Sequence, residues 1–573
     1  MSLAMIRPLP FVTLVSCTLT AMPAMAQIAD TIITNAKIYT VEEGQPWAEA
    51  TAIIDGRFVK VGDADTIAAL KGPDTKVVDL GGRFAMPGMI DAHIHPLRSQ
   101  LIENVDFSTS AAVPVTPEQF DAKIKTYAAS VPDKPWIIGA AFSWSTFTET
   151  PLNSAYLDAI VPDRPVVIED ETGHIAIANS KALEMAGITN DTLDPVGGYF
   201  GRTEDGAING LLYETAMQEV FKHSPNYAED DLYQAATDVM PRLSSMGITG
   251  IKVAQGDENW VNGLKRMDEE GLLKMQVSMT PYEVDFYRLY SNEALFENPE
   301  QYETDHVRID GVKLFADGVP FGRTMLIKET YPGTDYNGLP MTPPEKLRRK
   351  IVDYNARGFG VMVHSTGDRG TEIVLEGTEL SMQQNGVEKV RALRNHVAHN
   401  VIIDTADIDR MKYGNVVMEF SPSFWFPRPI IDAAEADLGP EMLQTVLRIG
   451  PILRSGVNVA IGSDWNQAQA DPWTNLETLV TRRAPGDGPN GVLLGTDSHI
   501  SLEQAIKAYT MGGAYAMFME EEIGSIRPGK RANFIVLDRN LFDIPLNQIH
   551  GAVVNQTWFE GEMIYEGNVK VSF

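Results

Sequence analysis

The sequence predicts an α/β protein: a parallel (β/α)8 TIM-like barrel with a small β-sandwich formed from both chain ends and an inserted subdomain. Three observations lead there. Beyond about residue 247, apolar strand-like runs alternate with helical stretches, the pattern of parallel βα units, and eight such units close a barrel. Short alternating β-rich runs sit at the two ends of the chain and not in its middle. Carboxylates, imidazoles and one lysine recur at the ends of apolar runs, where a parallel barrel keeps its chemistry.

The first 26 residues read as a secretory signal peptide: Arg7, the apolar run Phe11 to Thr20, and the small-x-small site Ala24-Met-Ala26 before Gln27. A periplasmic or secreted protein is therefore expected. Cleavage after Ala26 removes the single cysteine, Cys17, and with it any disulfide framework or thiolate ligand. Leu14-Val-Ser-Cys17 also resembles a bacterial lipoprotein box, so a lipid anchor at Cys17 is the one route to a membrane. No later stretch reaches the roughly 20 apolar residues a membrane helix needs.

Residues 27–84 carry short strand signals: Thr31 to Thr40, Ala52 to Gly62, and Lys76 to Gly82, with Asp55-Gly56 as a hairpin turn between two β-rich runs. Residues 520–573 supply Arg531 to Asp538 and Val553 to Tyr565, the second part of the expected sandwich. The barrel is expected over 85–519, interrupted by an insertion at about 105–235, because so long a structureless connection is uncommon inside a compact domain.

With 573 residues, 44% hydrophobic and 22% charged, the chain is too long for one small domain and ordinary for a globular protein. A formal charge of −30 argues against a nucleic-acid partner, since phosphate binding needs concentrated Lys and Arg. The basic run Lys346 to Ile351 reads as the solvated face of a helix. The oligomeric state, a homo-oligomer included, is left open.

Phe84 to His95 organises the rest. Pro87-Gly88 breaks what precedes, Met89-Ile90 starts a short buried strand, and alternation sends His93 and His95 to one face, where both can address one ion. Lys313 lies in the apolar run Val307 to Gly318. Burying an unpaired ammonium is expensive, a buried lysine shifts toward its neutral form, and a neutral amine can take up carbon dioxide as a carbamate. A lysine paired with Asp317 is the competing reading. Gly358 to Gly370 ends a strand on His364. His396 and His399 lie three apart, so on a strand only one can face a metal. Asp464 follows a Gly-Ser turn after an apolar run; a helix N-cap is its alternative.

Met86-Pro-Gly-Met-Ile-Asp-Ala-His-Ile-His95 resembles the first-strand signature of the metal-dependent amidohydrolase superfamily, and the later motifs resemble its YtcJ-like branch, from about Ile33 to about Tyr565. The resemblance implies that Lys313, carboxylated, bridges two metals, and that His364 with its Gly-Asp-Arg is the fifth-strand segment. It favours His399, since the branch has His-Ala-Gln with an arginine eleven residues later and Arg410 stands there. It makes Asp464 the eighth-strand aspartate. Relatives usually carry arginine where this chain has His396, a departure. His174, in the branch's His-x4-Asn-Ser-x-Ala-Leu segment, becomes a candidate substrate-facing residue.

Six N and O donors without sulfur suit zinc best, with manganese, cobalt or nickel tolerated. Two ions are expected, one on His93, His95, Lys313 and Asp464, the other on Lys313, His364 and His399. The expected reaction is hydrolysis of a carbon–nitrogen amide-type bond in a small molecule by a metal-activated hydroxide, with Asp464 as base and then acid. An ester or lactone fits the same machinery. Trp144, Trp425 and Tyr199 are candidates for the pocket wall, and Arg323 for meeting a substrate carboxylate. A deaminase with one ion and a glutamate near the fifth-strand histidine is the nearest rival, and a non-catalytic secreted binding protein the rival from another class. Two, one or no ions per chain separate the three.

Overall fold

The computed structural model describes residues 28–97, 105–106, 115–147, 151–225, 227–283, 292–427, 429–465, 468–495 and 498–571. The expected signal segment and Cys17 lie outside the described residues. The fold is mixed α/β.

Its centre is a succession of strands, each parallel to the next. In order they are Met89–Ile94, Ile248–Val253, Gln276–Met279, a fourth in two pieces (Val307–Ile309 and Gly311–Phe315), Gly360–Ser365, His396–His399, Val417–Phe420 and Val459–Ile461. The fourth strand joins both neighbours: its first piece pairs with the third strand, and Lys313 in its second piece donates its N–H to Pro281 O and bridges Tyr282. Beyond the eighth strand Trp465 bridges Ile94, and the Asp464 N–H donates to His93 O at 2.8 Å. The succession thus returns to its own first strand.

The first, second and fifth of these strands are buried at every position. Strands covered on both faces need no polar side, which is why they are mostly apolar without a two-residue alternation. Helices between them pack outside. Asp257 caps Glu258–Glu269 by accepting the Trp260 N–H, and Gly358, at φ 97°, ends Pro344–Arg357 in the left-handed conformation that glycine adopts without a Cβ clash.

Two sheets flank this centre. One takes the order Arg57–Gly62, Ala50–Ile54, Thr31–Thr34, Lys76–Asp79. The other takes Glu562–Glu566, Val554–Phe559, Phe534–Leu537, Phe84–Pro87, Lys37–Tyr39, Trp47–Ala48, and so contains both ends of the chain. Ile33, Ile53 and Phe58 of the first and Ile38, Ala85, Phe534 and Trp558 of the second share one apolar cluster. The run Thr31 to Thr40, continuous in sequence, divides between the sheets because Asn35 turns it at φ 51°. Asp55 and Gly56 are both at positive φ, the geometry a two-residue hairpin requires.

An ionic clamp holds the second flanking sheet to the centre. His306, just before the fourth strand, meets Asp268 at 2.6 Å and Glu560 at 3.2 Å, while Arg531 pairs with Asp305 at 3.0 Å and with Glu560. Burial alone would lower the His306 pKa, but the hydrogen bonds its ring donates to the two carboxylates outweigh it and push the pKa up to about 9. A pKa raised in the folded state gives stability that is complete below about 6.5 and lost as pH rises through about 9. Urea midpoints from pH 6 to 9 are expected to fall by the equivalent of roughly 2–3 kcal/mol, and His306→Asn to remove that slope.

The segment between the first and second central strands forms a sheet of its own, in the order Gly198–Arg202, Ile208–Glu214, Ile175–Ala178, Val166–Asp170, Ile137–Phe142, Val105–Asp106. Its inner strands are apolar on both faces: Val166, Ile168 and Ile177 enter one cluster, Val167, Ala176 and Ala178 another. Between Val166–Asp170 and Ile175–Ala178 the chain turns at Gly173, φ 72°, and His174 sits at that turn.

Candidate metal centre

The site is assembled where the first, fourth, fifth, sixth and eighth central strands end. Asp91 Oδ1 accepts the N–H of His93 at 3.2 Å and of Ser463 at 2.9 Å, tying the first strand to the eighth beside the histidines. Gly462 permits that approach, because a Cβ there would meet His93 Cβ at 2.4 Å and Glu419 Oε1 at 2.8 Å.

Asp464 Oδ1 lies 2.9 Å from His95 Nε2 and 3.5 Å from His93 Nε2, and its Oδ2 lies 3.7 Å from His399 Nδ1. Lys313 Nζ is 3.3 Å from His93 Nε2. The His399 ring stands 4.4 Å from that of His93 and 4.5 Å from that of His364. Ligand atoms of His93, His399 and Asp464 fall within 4.8 Å of one another, so His399, expected with His364 on the second ion, lies between the two expected sets. His399 and Asp464 hold φ at 75° and 56°, conformations that non-glycine residues keep only where surrounding contacts over-determine them.

The hydrogen bonds also fix which ring nitrogen is bare. His93 gives its Nδ1–H to Glu419 at 3.0 Å, and His364 gives its Nε2–H to Gly318 O at 3.2 Å, leaving Nε2 of the first and Nδ1 of the second with lone pairs. Burial holds the imidazoles of His93 and His364 well below their usual pKa and takes His399 down to about 3. Burial would raise Asp464, but His399, His95 and Lys313 beside it keep its pKa below the usual carboxylate value. Neutral imidazoles around an ionised carboxylate are the donor chemistry of a divalent cation, and these residues fit one.

Lys313 is 2% exposed, and burial lowers its pKa. It does not pair with Asp317, whose carboxylate accepts the backbone N–H of Leu326, Thr366 and Gly367. The donors open on a cavity of about 40 Å³, also lined by Tyr282, Phe315, Met217, Met341, His174 and Glu214. His174 Nδ1 lies 2.6 Å from Glu214 Oε2, and its ring stands 4.6 Å from that of His364. Burial opposes charge on His174, yet the adjacent Glu214 raises its pKa.

Among the described residues, Trp425, Arg323 and Tyr199 do not line that cavity. Trp425, 3% exposed, packs in the main apolar core, where its area is better buried than against a polar cavity. Arg323 pairs with Asp437 at 2.7 Å, which removes it from the cavity lining. Tyr199 stacks on Tyr213 at 4.3 Å. Trp144 begins the 3-10 turn Trp144–Phe147, and its side chain lies outside the described residues. His396 is buried on the sixth strand, away from the lining. Glu419, absent from the sequence reading, touches His93 and His399, and Glu214, which ends the branch-like segment Gly210-Leu-Leu-Tyr-Glu but was given no role, touches His174. Each is a single carboxylate in a strand; the signal available was its cost, since a charge in an apolar run needs a partner.

Five strand ends bearing neutral imidazoles, a carboxylate and a desolvated lysine define the class as a metal-dependent enzyme. The chain belongs to the amidohydrolase family, whose sequence profile matches residues 76–565. It is 28% identical over 543 residues to "Putative amidohydrolase YtcJ" of Bacillus subtilis (strain 168), covering 92% of this chain and 98% of that protein. It is 26% identical over 556 residues to the N-substituted formamide deformylase of Arthrobacter pascens, covering 95% and 99%. The crystal structure of an uncharacterized metal-dependent hydrolase from Pyrococcus horikoshii ot3 shares the fold, with a TM-score of 0.69, 22% identity, and coverage of 90% of this chain and 99% of that one.

Proposed function

We propose that this protein is an exported hydrolase of a carbon–nitrogen amide-type bond other than a peptide bond, acting on a small molecule at a two-zinc centre. The observation that carries the reading is the convergence of His93, His95, Lys313, His364, His399 and Asp464 on one small cavity. The parallel succession is read as a closed (β/α)8 barrel over 85–519, the flanking sheets as a sandwich from 27–84 and 520–573, and the six-stranded sheet as the insertion at about 105–235. The pairings Ile94 to Trp465 and Phe534 to Pro87 support that division.

His93, His95, Lys313 and Asp464 would hold one ion and Lys313, His364 and His399 the other, with Lys313 as a carbamate. The metal supplies Lewis-acid polarisation of the scissile carbonyl and an acidified water. Asp464, ionised at neutral pH, takes a proton at its free oxygen and returns it to the leaving nitrogen. Tyr282 and Phe315 wall the cavity, and His174, its Nδ1 held by Glu214, faces the substrate. A small acyl group would be in keeping with the deformylase relative.

The test is metal analysis with a screen of N-formyl and N-acetyl amines, amino acids and matched esters, with and without chelator. Two ions per chain and chelator-sensitive amide hydrolysis are expected. One ion with amine loss from a heterocycle means the deaminase, ester-only turnover the esterase, and no ion the binding protein. His174→Ala is expected to lower kcat/KM by about 10²-fold at unchanged metal content. Export rests on the segment ending at Ala26, and cell fractionation checks it.

A further inference from the structure

We infer that Glu419 is the positioning residue that sets both His93 and His399 for metal binding, an inference that rests on the metal-centre reading above. Glu419 lies on the seventh strand, which contributes no expected ligand, and is 0% exposed. Its Oε2 accepts the Nδ1–H of His93 at 3.0 Å and the backbone N–H of His399, also at 3.0 Å. Its Oε1 accepts the hydroxyl of Ser421 at 3.0 Å. The Ser421 hydroxyl has one proton, and with that proton on Glu419 its oxygen is free to accept from His399 Nδ1, 3.1 Å away.

One carboxylate therefore reaches two imidazoles, the first directly and the second through a serine. Both rings keep their proton on Nδ1, and His93 leaves its bare Nε2 3.3 Å from Lys313 Nζ. The bond to the His399 N–H does a second task, because it holds the backbone of a residue at φ 75°. A carboxylate behind a ligating histidine fixes its orientation and raises its basicity, and losing such a partner commonly weakens metal binding 10–100-fold.

The experiment uses the full mature chain, prepared metal-free and titrated with zinc against a chromophoric chelator. Glu419→Gln preserves shape while replacing one acceptor oxygen by an amide donor, and Ser421→Ala removes the relay alone. Zinc affinity is expected to fall 10–100-fold in Glu419→Gln and less in Ser421→Ala, with the double variant close to Glu419→Gln because both act on His399 along one path. Nitrogen-15 spectra of the histidines in the metal-free proteins report the tautomers directly. Wild type is expected to show His93 protonated at Nδ1, and Glu419→Gln a mixture.

Unchanged zinc affinity and unchanged tautomers in Glu419→Gln overturn the inference while leaving the metal centre intact. A Glu419→Gln chain that unfolds while metal-free wild type stays folded also overturns it, since the role is then structural. Wild type that takes up no zinc defeats the metal-centre reading itself, which is a separable result.

Discussion

Asp464→Asn is expected to lower kcat/KM by about 10³-fold, or about 4 kcal/mol of transition-state stabilisation, with little change in fold. Asparagine has nearly the same shape, and the Asp464 N–H bond to His93 O does not depend on the side chain. What disappears is an oxygen able to take and return a proton, together with the negative charge that faces His93, His95 and His399. Because neighbouring groups keep the Asp464 pKa below the usual carboxylate value, wild-type activity should persist into mildly acidic solution and fail only below that value. Steady-state kinetics from pH 4 to 9 with metal content measured in parallel provide the check, and wild type is expected to show no acid limb from this carboxylate in that range. A variant keeping a tenth of wild-type kcat/KM would show that proton transfer runs through another group.

Lys313→Ala is expected to leave at most one ion per chain and to lower kcat/KM by 10²-fold or more, about 3 kcal/mol. The reason is the environment: an amine 2% exposed, 3.3 Å from His93 Nε2, with the nearby Asp317 already committed to three backbone donors. Lys313→Arg is expected to fail equally, because a guanidinium stays protonated and cannot accept carbon dioxide. Reloading wild type with zinc should go further in added bicarbonate, and the variants should show no such dependence. Metal counts by mass spectrometry, taken with and without bicarbonate, decide it. Two ions retained in Lys313→Ala would remove the bridging role.

The first-strand histidines and Lys313 were legible because strand periodicity and desolvation are local rules: His93 and His95 are two apart at the end of a strand buried throughout, and Lys313 is a cation in an otherwise apolar strand. Both patterns carry their own physical explanation. Glu419 had none of this, since Val417-Met-Glu-Phe420 differs from other buried strands by one residue and its partners are far off in sequence. Trp425 was misplaced for the opposite reason. Trp425 resembles a pocket wall and a core side chain equally in composition, and the core claims it. Arg323 was legible as a cation needing a partner, but Asp437, 114 positions later, could not be singled out. The division of Thr31 to Thr40 between two sheets turned on Asn35, a residue tolerant of left-handed backbone and visible as such only with its φ of 51°.

The antiparallel pairing of Phe84–Pro87 with Phe534–Leu537 has a consequence for biosynthesis. The strand leading directly into His93 and His95 is synthesised roughly 450 residues before its partner. At roughly 5–20 residues per second the nascent chain carries that unmated edge for tens of seconds. Such an edge is a template for adventitious strand addition. A chain truncated before residue 534 is therefore expected to keep that edge open to strand addition.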